Sequence, residues 1–269
     1  MARLVARRLA KPGTPIVADA RCAVRQRAGE LRVGSANLLA YGASAVLKLG
    51  MPHMEGEHEP QGLRFWNGGP TVRLLEGDVE LGAMHLERCE PRTVLRALAE
   101  PEQDLMIAGL LRRLWRSPSA PHPFRPLSAM TEYWSNETLG RRQLVARHRA
   151  SLVREGLRLL KELPRTAPFG GAASNRSSRR QCASVGAGAL LVIDPKPFVG
   201  DPAYDATQHL LNCDARLRSD PRGTICRIAD LLGVDRERIR LWTFARGAAE
   251  PRDDWRHDDS MALARAIAP

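Results

Sequence analysis

The sequence has no apolar run near the roughly 20 residues a membrane helix needs, which excludes a helical membrane protein. Its basic start, MARLVARRLAK, lacks an apolar core and a cleavage pattern, so no secretory signal is expected. The five cysteines (Cys22, Cys89, Cys182, Cys213, Cys226) are odd in number, scattered and without a C-x-x-C. That argues against a disulfide framework or a zinc site and for reduced thiols in a cytoplasmic protein. Residues 1–34 have isolated Gly29 and Gly34 but no glycine-rich loop, and little helical or strand periodicity. A poorly ordered basic tail is the expectation there. Residues 168–190, PFGGAASNRSSRRQCASVGAGAL, contain no Asp, Glu or His. They supply neither a carboxylate ligand nor a general base.

What is present is a chain of 269 residues, 43% hydrophobic, enough for one large domain or two smaller bodies. The net charge of +11 invites a nucleic-acid reading. Its distribution opposes that reading. Residues 1–34 carry eight Lys/Arg against Asp19 and Glu30, and residues 168–190 carry Arg176, Arg179 and Arg180 with no acid. Those two segments hold most of the excess, and the remainder is nearly balanced. No nucleic-acid or membrane partner is expected.

Leu190 to Ile193 reads as an apolar strand that delivers Asp194 at its C-terminal end. A lone acid there can cap a turn or hold a hard divalent cation. Two further acids, Asp201 and Asp205, follow within IDPKPFVGDPAYD. Residues 36–49 read as two strands about Tyr41-Gly42-Ala43, the second placing Lys48 among apolar neighbours. Such a lysine either snorkels to water or meets an anion. The acid cluster Glu55, Glu57 and Glu59 comes next, with Pro60 suited only to a first helical turn. Thr71 to Leu75 and Leu81 to Leu86 read as a hairpin with its turn at Glu76-Gly77-Asp78.

Helices are expected over residues 101–116, with apolar positions Leu105, Ala108, Leu111 and Trp115, and over 152–163. Further helices begin near Ala203, run from Cys226 to Leu232 with Gly233 as terminator, start after Asp235 as N-cap, and close the chain from about Asp259. Tyr133 and Trp134 are either core or the wall of an acceptor pocket. The acids Asp253, Asp254, Asp258 and Asp259 form either a solvated loop or an attraction for a polycation.

The wording IDPKPFVGDPAYD, with AVLKLGMPHMEGEHE, GLRFWNGGPTVRLLE and GAMHLERCEP, resembles the aminoglycoside and hydroxyurea phosphotransferases, the streptomycin 6-kinase-like branch of the kinase-like fold. The resemblance spans about Ala45 to Asn212. It implies an α+β, two-lobed, protein-kinase-like fold of the aminoglycoside phosphotransferase type. Residues 1–88 would form a β-rich nucleotide lobe, and 89–269 a mainly helical catalytic and acceptor lobe. It also implies ATP and Mg2+ as cofactors and transfer of phosphate to a hydroxyl of a drug-like small molecule, a streptomycin-type aminoglycoside or hydroxyurea. Lys48 would bind phosphates, Glu59 would orient Lys48, Asp194 would bind magnesium, and Glu87-Arg88-Cys89-Glu90 would be the hinge that meets adenine.

The same family carries a catalytic loop resembling T-D-L-H-x-G-N-V between the 152–163 helix and the Asp194 strand. Here that place is taken by residues 168–190. Legal codons can be chosen for Gly171 to Ala183 that, read one base later, spell V-L-L-A-T-D-L-H-A-G-N-V. The second base of each codon is nearly fixed by the protein sequence, so a full match is hard to obtain by accident. The expectation is that residues 168–190 are translated out of frame. The missing aspartate would fall at Arg176 and the asparagine at Gln181, and no catalytic base can be named in the chain as written. The alternative is a catalytically dead kinase-like remnant.

Overall fold

The computed structural model describes residues 23–27, 30–38, 43–49, 53–79, 82–89, 95, 98–140, 150–168, 172–174, 182–185, 189–251 and 257–269. In chain order the strands are β1 (Ala23–Arg27), β2 (Glu30–Leu38), β3 (Ala43–Leu49), β4 (Leu74–Asp78), β5 (Ala83–Glu87), β6 (Arg125–Pro126), β7 (Ala172–Ser174), β8 (Cys182–Val185), β9 (Ala189–Val192) and β10 (Phe198–Gly200). The helices are α1 (Glu59–Trp66), α2 (Glu100–Leu114), α3 (Leu127–Gly140), α4 (Ala150–Glu162), α5 (Pro202–Leu210), α6 (Asp214–Ser219), α7 (Pro221–Leu232), α8 (Arg236–Ala249) and α9 (His257–Ala266). Among the described residues no helix is long and apolar enough to cross a membrane.

The chain divides into two compact units, Met1–Thr93 with Ala183–Pro195, and Val94–Cys182 with Lys196–Pro269. The first is built on an antiparallel five-stranded sheet in the order β1-β2-β3-β5-β4. Its register sets Val46 opposite Leu86 and Lys48 opposite Met84. Directly opposed residues share a sheet face. Met84 and Leu86 pack with Leu63 of α1, Val72 and Leu191. The face that carries Lys48 is therefore the face that α1 covers. Helix α1 takes Pro60 in its first turn, where the missing N–H would be unsatisfied anyway. It stops at Asn67, whose φ of 48° is left-handed and whose N–H bonds Leu63 O. Strand β9 joins this unit through Val192, which donates to Pro70 O at 2.9 Å and accepts from Val72 N at 2.9 Å.

The second unit is mainly helical. Asp201, Asp220 and Asp235 each accept a first-turn backbone N–H, opening α5, α7 and α8. Gly233 ends α7 with φ 68°. Helix α4 lies close against α8 at Gly156, where an added Cβ would stand 2.9 Å from the methyls of Ala248 and Ala249. Trp134, Tyr204 and Trp242 fill the centre of this unit, with the buried Arg246 guanidinium over the rings of Trp134 and Tyr204.

The structure corrects three sequence expectations. The basic N-terminal segment is not all tail, because residues 23–27 and 30–38 are strands. β1 pairs with β2 and β2 with β3, pairings that alternation alone does not announce. Glu76-Gly77-Asp78 is not the hairpin turn but the end of β4, and Gly82 N–H bonds Val79 O beyond it. Gly82, at φ 61°, supplies the left-handed position, and Gly77 stays in a strand whose register is irregular between Leu74 and Glu76. In α2, Leu105 is 55% exposed while its neighbour Asp104 is fully buried. Asp104 lies on the internal face together with Ile107, Ala108, Leu111 and Leu114.

Candidate active site

Three of the residues singled out by sequence meet within the first unit. Lys48 Nζ donates to Glu59 Oε1 and, at 2.6 Å, to Asp194 Oδ1. The side chains are 16%, 4% and 23% exposed for Lys48, Glu59 and Asp194, so Asp194 is the most open to solvent. Each is positioned by a different element. Lys48 is held by β3 in register with Met84. Glu59 is the first residue of α1, where the helix N-terminus favours a carboxylate. Asp194 follows β9, fixed by the Val192 bonds to residues 70 and 72 and by Leu191 and Ile193 in the apolar cluster.

One ammonium between two carboxylates leaves the group with a net charge of −1. Its oxygens already surround a positive charge, and oxygen donors suit a hard divalent cation. Asp194 therefore has the chemistry to hold one beside a phosphorylated ligand. Of the acid cluster, Glu59 is the partner of Lys48. Glu55 is buried with its backbone N–H on His53 Nδ1, and Glu57 is exposed.

Glu87 ends β5 and accepts from the Arg73 backbone N–H at 2.7 Å. Burial, with Glu87 nearby, pushes the Cys89 thiol up to about 11. Arg176 and Gln181 lie outside the described residues, as do Asp253 and Asp254. The two further acids of the IDPKPFVGDPAYD stretch belong to the second unit. Asp201 caps α5 and accepts from Trp242 Nε1 at 2.6 Å and from Arg238. Asp205 accepts from Trp115 Nε1 at 2.9 Å. Asp201, with three donors, is thereby a structural acceptor in the second unit. Trp134 is core.

Sequence reasoning missed the buried charges around Asp104. Its carboxylate accepts from His209 Nε2 at 2.7 Å, from both Arg216 terminal nitrogens at 2.7 Å and from Arg227 Nε at 2.9 Å. Burial alone would raise its pKa, but these donors outweigh burial and hold it well below the usual carboxylate range. Burial lowers the basicity of His209, and Asp104 and Cys213 reverse that, so the imidazole is held more basic than usual. Asp104, His209 and Cys213 have the ligand types of a metal site. The two guanidiniums on Asp104, one of them 3.5 Å from Cys213 Sγ, already provide its positive charge and oppose a cation.

The sequence profile described as "Aminoglycoside/hydroxyurea antibiotic resistance kinase" matches residues 21–254. The chain is 34% identical over 256 residues to a streptomycin 6-kinase of Streptomyces griseus, covering 84% of this chain and 78% of that protein. It is 33% identical over 222 residues to a hydroxyurea phosphotransferase of Kitasatospora aureofaciens, covering 77% of this chain but 61% of that protein. Among solved structures it is similar to a choline/ethanolamine kinase family protein of Mesorhizobium loti, with TM-score 0.66 and 15% identity over 99% of this chain and 94% of that one. It is also similar to an aminoglycoside phosphotransferase of Streptomyces rimosus in complex with ADP and streptomycin, with TM-score 0.53 and 14% identity over 91% and 93%. These structural likenesses show a protein-kinase-like α+β fold. With the profile matched over most of its length, the chain belongs to the aminoglycoside/hydroxyurea antibiotic resistance kinase family.

Proposed function

We propose that the protein transfers the γ-phosphoryl group of ATP to a hydroxyl of a drug-like small molecule, a streptomycin-type aminoglycoside or hydroxyurea, and so inactivates it. The observation that carries this reading is the joining of Lys48, Glu59 and Asp194 from three elements into one ion group. The strand-rich unit is the nucleotide-binding body, and the helical unit contributes the acceptor side. Lys48 holds phosphate oxygens, and Glu59 keeps the ammonium aimed while its own charge is shielded at the α1 N-terminus. Asp194 holds magnesium, which supplies charge neutralisation on the phosphate oxygens when bound.

Deprotonating or orienting the acceptor hydroxyl needs a carboxylate that residues 168–190 do not contain as written. The reading therefore includes the frame inference: the gene in its proper frame encodes T-D-L-H-A-G-N-V there, with aspartate at the position of Arg176. Resequencing the DNA for residues 160–195, followed by an ATP-consumption screen against streptomycin and hydroxyurea, tests both parts. A T-D-L-H-x-G-N text with acceptor-dependent ATP consumption supports the proposal. ATP binding with no transfer to either acceptor from the corrected chain overturns it.

A further inference from the structure

We propose that the second unit carries a binding site for a small organic anion with an apolar body, in a cavity between the N-terminal halves of α7 and α8 and the end of α9. The cavity measures about 640 Å3, the size of a small-molecule pocket. Its walls include Ile225 and Ile267, each 4% exposed, and the charged side chains of Arg222, Arg236, Glu237 and Arg240. All of them belong to the second unit, whereas Lys48, Glu59 and Asp194 belong to the first. Three guanidiniums and one carboxylate leave the lining with a net charge of +2. That charge opposes a polycationic aminoglycoside, so the cavity is not the place of such an acceptor.

The three arginines are not equivalent. Arg240 is committed: its Nε donates to Glu237 Oε2 at 2.7 Å, and its Nη1 to Ile267 O at 2.5 Å and Ala268 O at 2.7 Å. It thereby offsets the Glu237 charge and pins the apolar wall that follows α9 onto α8. Arg222 and Arg236 have no hydrogen bond or ion pair among the described residues, and both are exposed at the cavity. Each lies in the first turn of its helix, the end at which a helix favours an anion and not a cation. The acids beside them in sequence, Asp220 and Asp235, cap the Gly223 and Arg238 N–H groups and do not line the cavity. A guanidinium is a planar fork that matches an oxyanion, so the two unpaired ones specify the head of the ligand, a carboxylate, sulfonate or phosphate. The apolar wall and a volume far larger than a bare inorganic ion fills specify its body.

The test titrates the full chain, without nucleotide, with anilinonaphthalene sulfonate, an aromatic body bearing one sulfonate, whose fluorescence rises on leaving water. The wild type is expected to bind one molecule saturably. Decanoate is expected to displace it, and inorganic phosphate at the same concentration is not. Arg222→Gln combined with Arg236→Gln is expected to weaken binding by about tenfold or more, since each hydrogen bond to a charged group is worth about that factor. Arg154→Gln combined with Arg165→Gln removes the same charge from exposed places in the same unit and is expected to leave binding unchanged. Ala266→Trp fills the cavity from an exposed position and is expected to abolish binding. Binding that survives loss of Arg222 and Arg236, or that falls equally on loss of Arg154 and Arg165, overturns the proposal. So does displacement by phosphate as effective as by decanoate, which would make the site one for a bare ion. A wild type with no saturable binding overturns it too. Should the Arg222, Arg236 double variant not fold by circular dichroism, Ala266→Trp and the two competitors decide alone, and unchanged binding by Ala266→Trp overturns it.

Discussion

Asp104→Asn is the substitution whose cost follows most directly from the structure. The carboxylate is fully buried and accepts from His209, Arg216 and Arg227. Asparagine keeps one acceptor oxygen but replaces the other with an NH2 group that must face a guanidinium donor, and it removes the anion bonded to His209. Removing one partner of a buried ion pair costs about 3–5 kcal/mol, because the other charge is left uncompensated. Arg227 is 42% exposed and contributes little of this, since exposed pairs are worth about 0–1 kcal/mol. His209 and Arg216 carry the remainder. At about 2–4 °C per kcal/mol for a body of this size, the expected fall in the unfolding midpoint is about 6–20 °C. Thermal unfolding followed by tryptophan fluorescence reads it, because Trp115, Trp134 and Trp242 all lie in the same unit. A fall under about 2 °C would refute the argument, as would Arg227→Ala costing as much as Asp104→Asn.

The same group gives a pH prediction. His209 is held more basic than its unfolded value of 6.5, so its contribution is complete below that value and is lost as pH rises through the folded pKa. Asp104 is held low, so its contribution is present above the unfolded carboxylate value of 3.8 and fades as pH falls toward the folded one. The wild-type midpoint is therefore expected to be highest in mild acid and to decline on the alkaline side, and His209→Gln is expected to flatten that decline. A midpoint that climbs through neutral pH would contradict the assignment. Gly156→Val drives a branched side chain into Ala248 and Ala249 and is expected to destabilise by about 1–3 kcal/mol, read by urea unfolding. With the Cys89 thiol pushed up to about 11, about one part in ten thousand is ionised at neutral pH, so a disulfide reagent should label it far more slowly than an ordinary exposed thiol.

Much of the ion group was legible because each member breaks a local pattern. Lys48 interrupts an apolar strand, and Asp194 ends one. The choice of Glu59 over Glu55 and Glu57 rested on resemblance, since three acids at alternate positions look alike in the text. The Asp104 group was not legible. Its members lie on four helices, with Asp104 more than 100 positions from each of its partners, and the usual reading of an apolar stripe put Leu105 inside instead. The cap residues Gly233 and Asp235 could be read because their signals are local. The joining of β9 to residues 70–72 could not, because it depends on backbone bonds with no side-chain signature.

The most direct measurement is phosphoryl transfer from γ-labelled ATP to streptomycin and to hydroxyurea. Two chains are compared: the one written here, and one in which residues 171–182 are replaced by V-L-L-A-T-D-L-H-A-G-N-V. Restoring a positioned base should raise the rate by about 10²–10⁴-fold, and the restored cation-binding asparagine should add to it. The account predicts transfer by the replaced chain to one of the two acceptors and a rate lower by at least that factor for the chain as written. Equal rates from both chains, or transfer by neither to either acceptor, would contradict it.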